Sequence, residues 1–442
     1  MNNIIPTIFI LTTGVFIVKH LLRIKSSILV IFSLSYLLGS GLITLYMFFL
    51  SLFGFLTKPF VYSFSGLILI SVFVKTKKNI YKRSFPKLNF SFPEIILLVL
   101  LSFTLIFIFI NNTYWPPTTW DALTLYDFRA KVLTQTGNLY SLIDAGQTPF
   151  FISYYTSSPY LTSLLHSFYY FFGSTNPQII YFLYTLFFII LFIHGLNKFT
   201  IRANALLLGI LVLTLPFIFS QTLVSYTNLP YTVYLDLAFI YLLLYLKKGG
   251  RENFLISLIL IFFSVWTRNR EPFWVIYPVI IFFFSKRRRI LLTVLSFVSI
   301  YFVSSFWQLP LNHLIQASVS SDKVFSGQPT IIDLIRFISI SRLSEISYFL
   351  WISVFAEWKI LLIIFSTVIL FARLKLKEIF SDPLLWVIIF SVLLLFAGTY
   401  YLSLLRPFWK DIAGSAGRMM IFLPPLILFW IGTKLDKIFR TK

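Results

Sequence analysis

Apolar residues in this chain form long unbroken runs, and polar residues gather in short breaks between them. The runs cover residues 4–18, 28–56, 60–74, 95–110, 179–196, 206–220, 231–246, 254–266, 273–285, 290–307, 358–371, 384–402 and 419–431. Runs of this length mark helices that cross a membrane. An outer-membrane barrel is excluded, because its strands alternate apolar and polar positions. The pattern predicts an all-α polytopic membrane protein with about 13 transmembrane helices. Two long polar stretches, 111–178 and 308–357, interrupt it and predict juxtamembrane helices outside the bilayer.

Composition sharpens this reading. The 442 residues are 58% hydrophobic, 20% aromatic and 12% charged, against roughly a quarter charged in soluble domains. The net charge of +22 would suggest nucleic-acid binding in a soluble protein. Here the cations cluster between spans, at Lys19, Arg23 and Lys25, at KTKKNIYKR (75–83), at KKGGR (247–251), at KRRR (286–289), at RLKLK (373–377) and in the final KLDKIFRTK. Clusters of this kind orient a membrane protein. They put the N-terminus and both long loops outside and the C-terminus inside. Membrane lipids are therefore expected partners, and nucleic acid is not. The opening MNNIIPTIFI lacks a basic stretch and reads as a span rather than a cleaved signal. There is no cysteine, and the four histidines are far apart in sequence. Disulfides, thiolate chemistry and a histidine zinc site are excluded or disfavoured. No cofactor is implied with certainty, and a divalent metal on carboxylates stays open.

The chemistry concentrates in WPPTTWDALTLYDFRAK, residues 115–131, which follows the 95–110 run. Asp121 is the candidate general base, because a partly desolvated carboxylate at a membrane surface suits proton abstraction. The bland alternative, of equal weight, is a helix N-cap. Asp127 lies six residues on, faces away on a helix, and is expected to pair with Lys131 at i,i+4. Arg129 and Lys131 are candidate phosphate ligands, with snorkelling to headgroups as the alternative. Arg268, Arg270, Arg406, Lys410 and Arg418 also fall on the outer side, where cations are disfavoured; one anionic ligand there would account for them. Glu271 follows Arg270 at the mouth of a span and reads as its neutralising partner. Asp236 lies inside a span, where a carboxylate is functional by default. His166 reads as a satisfied interfacial histidine. Trp115 and Trp120 form an aromatic belt or, alternatively, stack on a sugar.

Taken in order, these pieces resemble the GT-C membrane glycosyltransferases, particularly the group related to the RgtA/B/C/D-like domain, the protein mannosyltransferases and the aminoarabinose transferases. Trp120-Asp121, Tyr126 and Arg129-Ala130-Lys131 are similar to that family's first outer loop, which carries its catalytic Asp. Ser158-Pro159-Tyr160-Leu161 resembles the juxtamembrane helix of the loop. Tyr226-Thr227-Asn228-Leu229-Pro230, Thr267-Arg268-Asn269-Arg270-Glu271 and Ser415-Ala416-Gly417-Arg418 resemble later outer corners. The resemblance covers about residue 93 to the C-terminus and divides the chain into accessory helices, 1–92, and a catalytic core, 93–442.

What the resemblance implies is a glycosyltransferase, in a prokaryotic cytoplasmic membrane, working on the outer face. Its donor would be a polyprenyl-phosphate sugar and its acceptor a glycan, lipid or protein. Asp121 would be the base. Arg129, Lys131, Arg268, Arg270 and Arg418 would hold the donor phosphate. Trp120, Tyr126, Asn228 and Glu271 would touch substrate. A phosphate leaves without acid catalysis, so one base and several cations suffice, and single displacement inverts the anomeric carbon. Asn228 stands where relatives often have Asp, which puts metal dependence in doubt. The rivals are a flippase or transporter for a lipid-linked anion, which should carry charges near the bilayer midplane, and a polysaccharide polymerase or ligase.

Overall fold

Water is absent from a bilayer core, so a spanning chain must satisfy its peptide groups internally, and helix is the only local solution. The computed structural model describes residues 2–76, 90–146, 148–156, 158–269, 271–286, 288–310, 339–371, 376–405, 409–413 and 415–440. Helix is their only regular secondary structure, with no strand among them. Nine helices among them are long and apolar enough to cross a membrane: Ile4–Leu21, Ile28–Leu52, Phe92–Tyr114, Ile179–Leu196, Asn228–Lys248, Arg289–Phe306, Ile340–Phe371, Pro383–Leu404 and Trp409–Leu435.

The four other expected spans are helical but short or bent. Three are Lys58–Val72, Arg251–Thr267 and Pro272–Phe284. The fourth divides into Arg202–Thr214 and Pro216–Thr222, bent by 73°. Pro216 explains that break, since proline lacks the N–H a helix needs and crowds the preceding turn. Runs of about 15 residues extend only about 22 Å, short of a hydrocarbon core of about 30 Å. The expected count of about 13 is thus nine by helix length among the described residues, or ten with the bent pair as one span.

Contacts at helix ends define two faces of the bundle. At one, Asn112 Nδ2 donates to Thr222 O (2.9 Å), Asn176 Nδ2 to Trp115 O (3.0 Å) and Gln178 Nε2 to Leu223 O (2.8 Å). This is the loop face. At the other, Arg202 meets Glu94 at 3.4 Å, Lys248 donates to Lys198 O, and Lys434 pairs with Asp382. This is the basic face.

Asn228–Lys248 is the central helix, buried from Asn228 through Leu244. A knot of hydroxyls fastens it to two others: Ser40 Oγ lies 3.0 Å from Tyr184 Oη and 2.9 Å from Tyr234 Oη, and Tyr234 donates to Leu37 O at 2.7 Å. Ser40 belongs to Ile28–Leu52, which runs unbroken through Gly39-Ser40-Gly41. The glycines there serve close approach. A Cβ at Gly14 would stand 1.6 Å from Ser35 O, and one at Gly39 would stand 2.1 Å from Ile10 O, so the first two helices touch backbone to backbone. One hydrophobic core joins these helices to the rest of the chain.

The first long loop is helical, with Phe128–Thr136, Ser141–Gly146, Pro149–Thr156 and Leu161–Phe171 in chain order. The last is nearly all buried. Three of its polar side chains are matched by neighbours: Thr162 Oγ1 donates to Thr227 Oγ1 (3.0 Å), His166 Nε2 meets Tyr181 Oη (3.0 Å) and Ser167 Oγ meets Thr134 Oγ1 (2.8 Å). Of the second loop, residues 311–338 lie outside the described residues, and the stretch from Ile340 continues into the span Ile340–Phe371 rather than forming a separate outer helix.

Candidate functional site

A cavity of about 740 Å³ opens at the loop face, a size suited to a small-molecule ligand. Six predicted residues line it: Asp121, Tyr126, Asn228, Arg268, Glu271 and Arg418. They come from four distant stretches of sequence, and the fold gathers them because each sits at the loop-face end of a helix. Asn228 begins the central helix, Arg268 ends Arg251–Thr267, Glu271 precedes Pro272–Phe284, and Arg418 lies in the short turn of helix Ala416–Met419 that leads into Leu423–Arg440.

Asp121 stands at the head of a wide helical turn, Ala122–Asp127, and its side chain makes no capping hydrogen bond. The N-cap alternative is therefore not realised. Instead Oδ1 accepts from Tyr154 Oη at 3.0 Å, and Oδ2 lies 3.5 Å from Arg418 Nη1. Asp121 and Arg418 are 37% and 41% exposed, so this loose pair is open to an incoming ligand. Arg418 also lies over the Tyr226 ring, 5.7 Å from its centroid.

Arg268 is held more firmly. Its guanidinium forks onto Glu271, with Nε and Nη2 each 2.5 Å from a carboxylate oxygen, while Nη1 donates to the Asn228 carboxamide. Glu271 thus partners Arg268 where Arg270 was expected; Arg270 and Arg406 lie outside the described residues. Burial works against the Arg268 cation, but Glu271 outweighs it and holds its pKa above the ordinary guanidinium value. Asn228 in turn donates to Gln221 Oε1 at 3.1 Å. Burial pushes the Tyr126 hydroxyl up to about 12, with Arg268 opposing and Asp121 adding to the rise. Tyr126 therefore serves as a neutral donor or acceptor at physiological pH.

The remaining predicted residues fall outside the lining. Arg129 is fully buried: it donates to Ser158 Oγ and Ser158 O (both 3.0 Å) and stacks on Tyr160 at 3.9 Å. It shapes the cavity wall at Ser158-Pro159 rather than reaching into the cavity. Lys131 pairs with Asp127 at 2.8 Å, as the i,i+4 spacing anticipated. Trp120 points outward, 74% exposed. Asp127 is buried and also meets Tyr170 Oη and, at 3.8 Å, His166 Nδ1. Burial alone would raise its pKa; His166, Lys131 and Tyr170 outweigh that and bring it to about 2.

Tyr154 and Gln221 were not singled out from sequence, since neither residue type stands out in a tyrosine-rich, apolar chain. The cavity's other wall is apolar, built by Leu394, Leu395, Gly398 and Leu402 of the late helix Pro383–Leu405 with Phe273. Among the described residues no three of His, Asp and Glu come together as a metal-binding set.

These features define the class: an all-helical, multi-pass membrane protein with a cavity at the ends of its helices, charged on one side and apolar on the other. No family model, curated protein or solved structure matches the chain.

Proposed function

We propose that the protein is a membrane glycosyltransferase that moves a sugar from a polyprenyl-phosphate donor to an acceptor hydroxyl on the extracytoplasmic face. The observation that carries this reading is the placement of one ligand-accessible carboxylate, Asp121, beside one accessible guanidinium, Arg418, in a cavity with an apolar wall. In the proposed step Asp121 takes the proton of the acceptor hydroxyl. The acceptor oxygen bonds to the anomeric carbon as the carbon–oxygen bond to phosphate breaks, and the electron pair leaves on the phosphate. Arg418 leaves its loose contact with Asp121 to meet that developing charge, which frees the base. Cations placed at a leaving phosphate stabilise the transition state by several kcal/mol. Arg268, committed to Glu271, fixes the cavity floor and adds a less available charge.

The wall of Leu394, Leu395, Gly398 and Leu402 gives an isoprenoid chain an apolar surface. The four short or bent helices are read as crossings too, which restores 13 passages and leaves the loop face outside. A transporter reading draws on Asp236, which is buried with no hydrogen-bond partner for either oxygen among the described residues, and on the bend at Pro216. Asp236 stands without a neighbouring cation among the described residues, so this reading is the weaker one.

The test is transfer by the purified protein in vesicles, supplied with polyprenyl-phosphate hexose and pentose donors and membrane-glycan acceptors. Polyprenyl phosphate should be released with inversion, and Asp121→Asn should slow release by about 10²–10⁴-fold, the range for losing a general base. Retained stereochemistry or an unaffected Asp121→Asn rate would overturn the mechanism.

A further inference from the structure

A second cavity, of about 700 Å³, lies at the basic face, at the other end of the bundle. Lys247, Lys286, Arg288 and Arg289 line it, with the hydroxyls of Ser285 and Ser381. Cations at this face orient the protein, and cations serving only that role are expected to point apart into solvent. Here they share a concavity. No acid lines it. The nearest one in sequence, Asp382, is committed elsewhere: Oδ1 accepts from the backbone N–H groups of Leu384 (3.1 Å) and Leu385 (3.4 Å), and Oδ2 pairs with Lys434. Among the described residues, Lys286, Arg288 and Arg289 form no ion pair.

The backbone adds to this charge. Helix Arg289–Phe306 starts at the cavity with no acidic residue in its first turn and no side-chain cap. Its first N–H groups and the positive end of its dipole therefore favour an anion. Arg288 is held at φ +51°, a conformation rare outside glycine and found where surroundings compensate for strain, as at ligand clamps. Leu246 and Phe283 also line the cavity, and Phe283 is 66% exposed. The site thus joins a cationic pocket to an apolar, lipid-facing wall.

We propose that this cavity binds the phosphodiester headgroup of an anionic membrane phospholipid. The phosphate meets Lys286, Arg288, Arg289 and the helix N-terminus, while an acyl chain lies along Phe283. A soluble phosphate would satisfy the cations but would leave the apolar wall unused. The site is independent of the transferase reading.

Native mass spectrometry of the delipidated full chain, offered equal amounts of phosphatidylglycerol and phosphatidylcholine, tests it. The protein should retain phosphatidylglycerol in preference, and millimolar inorganic phosphate should not displace it. Lys286→Gln, Arg288→Gln and Arg289→Gln combined should weaken retention by about 100-fold, since each headgroup cation contributes about a factor of five. The single Arg288→Gln variant should show a smaller loss. Equal retention of the two lipids by the wild type, or unchanged retention in the triple variant, would overturn the proposal. Displacement by phosphate would also overturn it and would assign the site to a soluble anion. The lipid-preference and phosphate arms use the wild type and so stand even if the triple variant fails to fold.

Discussion

Asp121 and Asp127 are six residues apart, yet they differ in every respect that decides a carboxylate's role. Asp127 is buried and held by Lys131, Tyr170 and His166. Its pKa falls from 3.8 unfolded to about 2 folded, so it contributes roughly 2 kcal/mol of stability at neutral pH. That contribution is full above pH ~4 and is lost as pH falls towards ~2. Thermal unfolding in detergent across this acid range should show the wild-type midpoint dropping and Asp127→Asn starting lower but dropping less; parallel curves would refute the assignment. Asp121 is open and touches groups that a substrate can displace. From sequence both are acids in one greasy loop, told apart by the i,i+4 spacing to Lys131 and by the resemblance around Trp120-Asp121. Arg129 shows what sequence leaves out. Its charge was visible, but its complete burial against Ser158 and Tyr160 depends on a neighbour 30 residues away.

At the scale of elements, apolar run length located the helices but not their reach. All 13 runs are helical, because in a membrane the backbone has no other way to satisfy itself. Whether a helix of 13–17 residues crosses depends on packing that the run does not record. Packing also set the role of the first two helices. Gly14 and Gly39 lie in apolar runs, and they allow the backbones of Ile4–Leu21 and Ile28–Leu52 to touch. Gly14→Ala should separate them and lower the thermal midpoint by several degrees, because a Cβ would fall on the Ser35 carbonyl backbone. Gly66→Ala is the control, since nothing lies within 4 Å of a Cβ there. Equal midpoints for the two variants would contradict the close-contact account.

Over the whole molecule, charge is sorted between two ends. The basic face carries clustered cations and the second cavity, and the loop face carries the cavity with Asp121 and Arg418. This sorting was legible in sequence because cations between alternate runs must share a side. Convergence of the Asn228, Arg268 and Arg418 corners was not legible from spacing, since no interval along the chain encodes it; only the cations on the outer side suggested a shared anion. We propose that the loop-face cavity holds a polyprenyl-phosphate sugar and that Asp121 is the base for its transfer. Mass spectrometry of lipid extracted from the purified wild type and Asp121→Asn tests it most directly. The account predicts polyprenyl phosphate with the wild type and its accumulated, unreacted glycoside with Asp121→Asn. The absence of any polyprenyl phosphate or glycoside from both would contradict it.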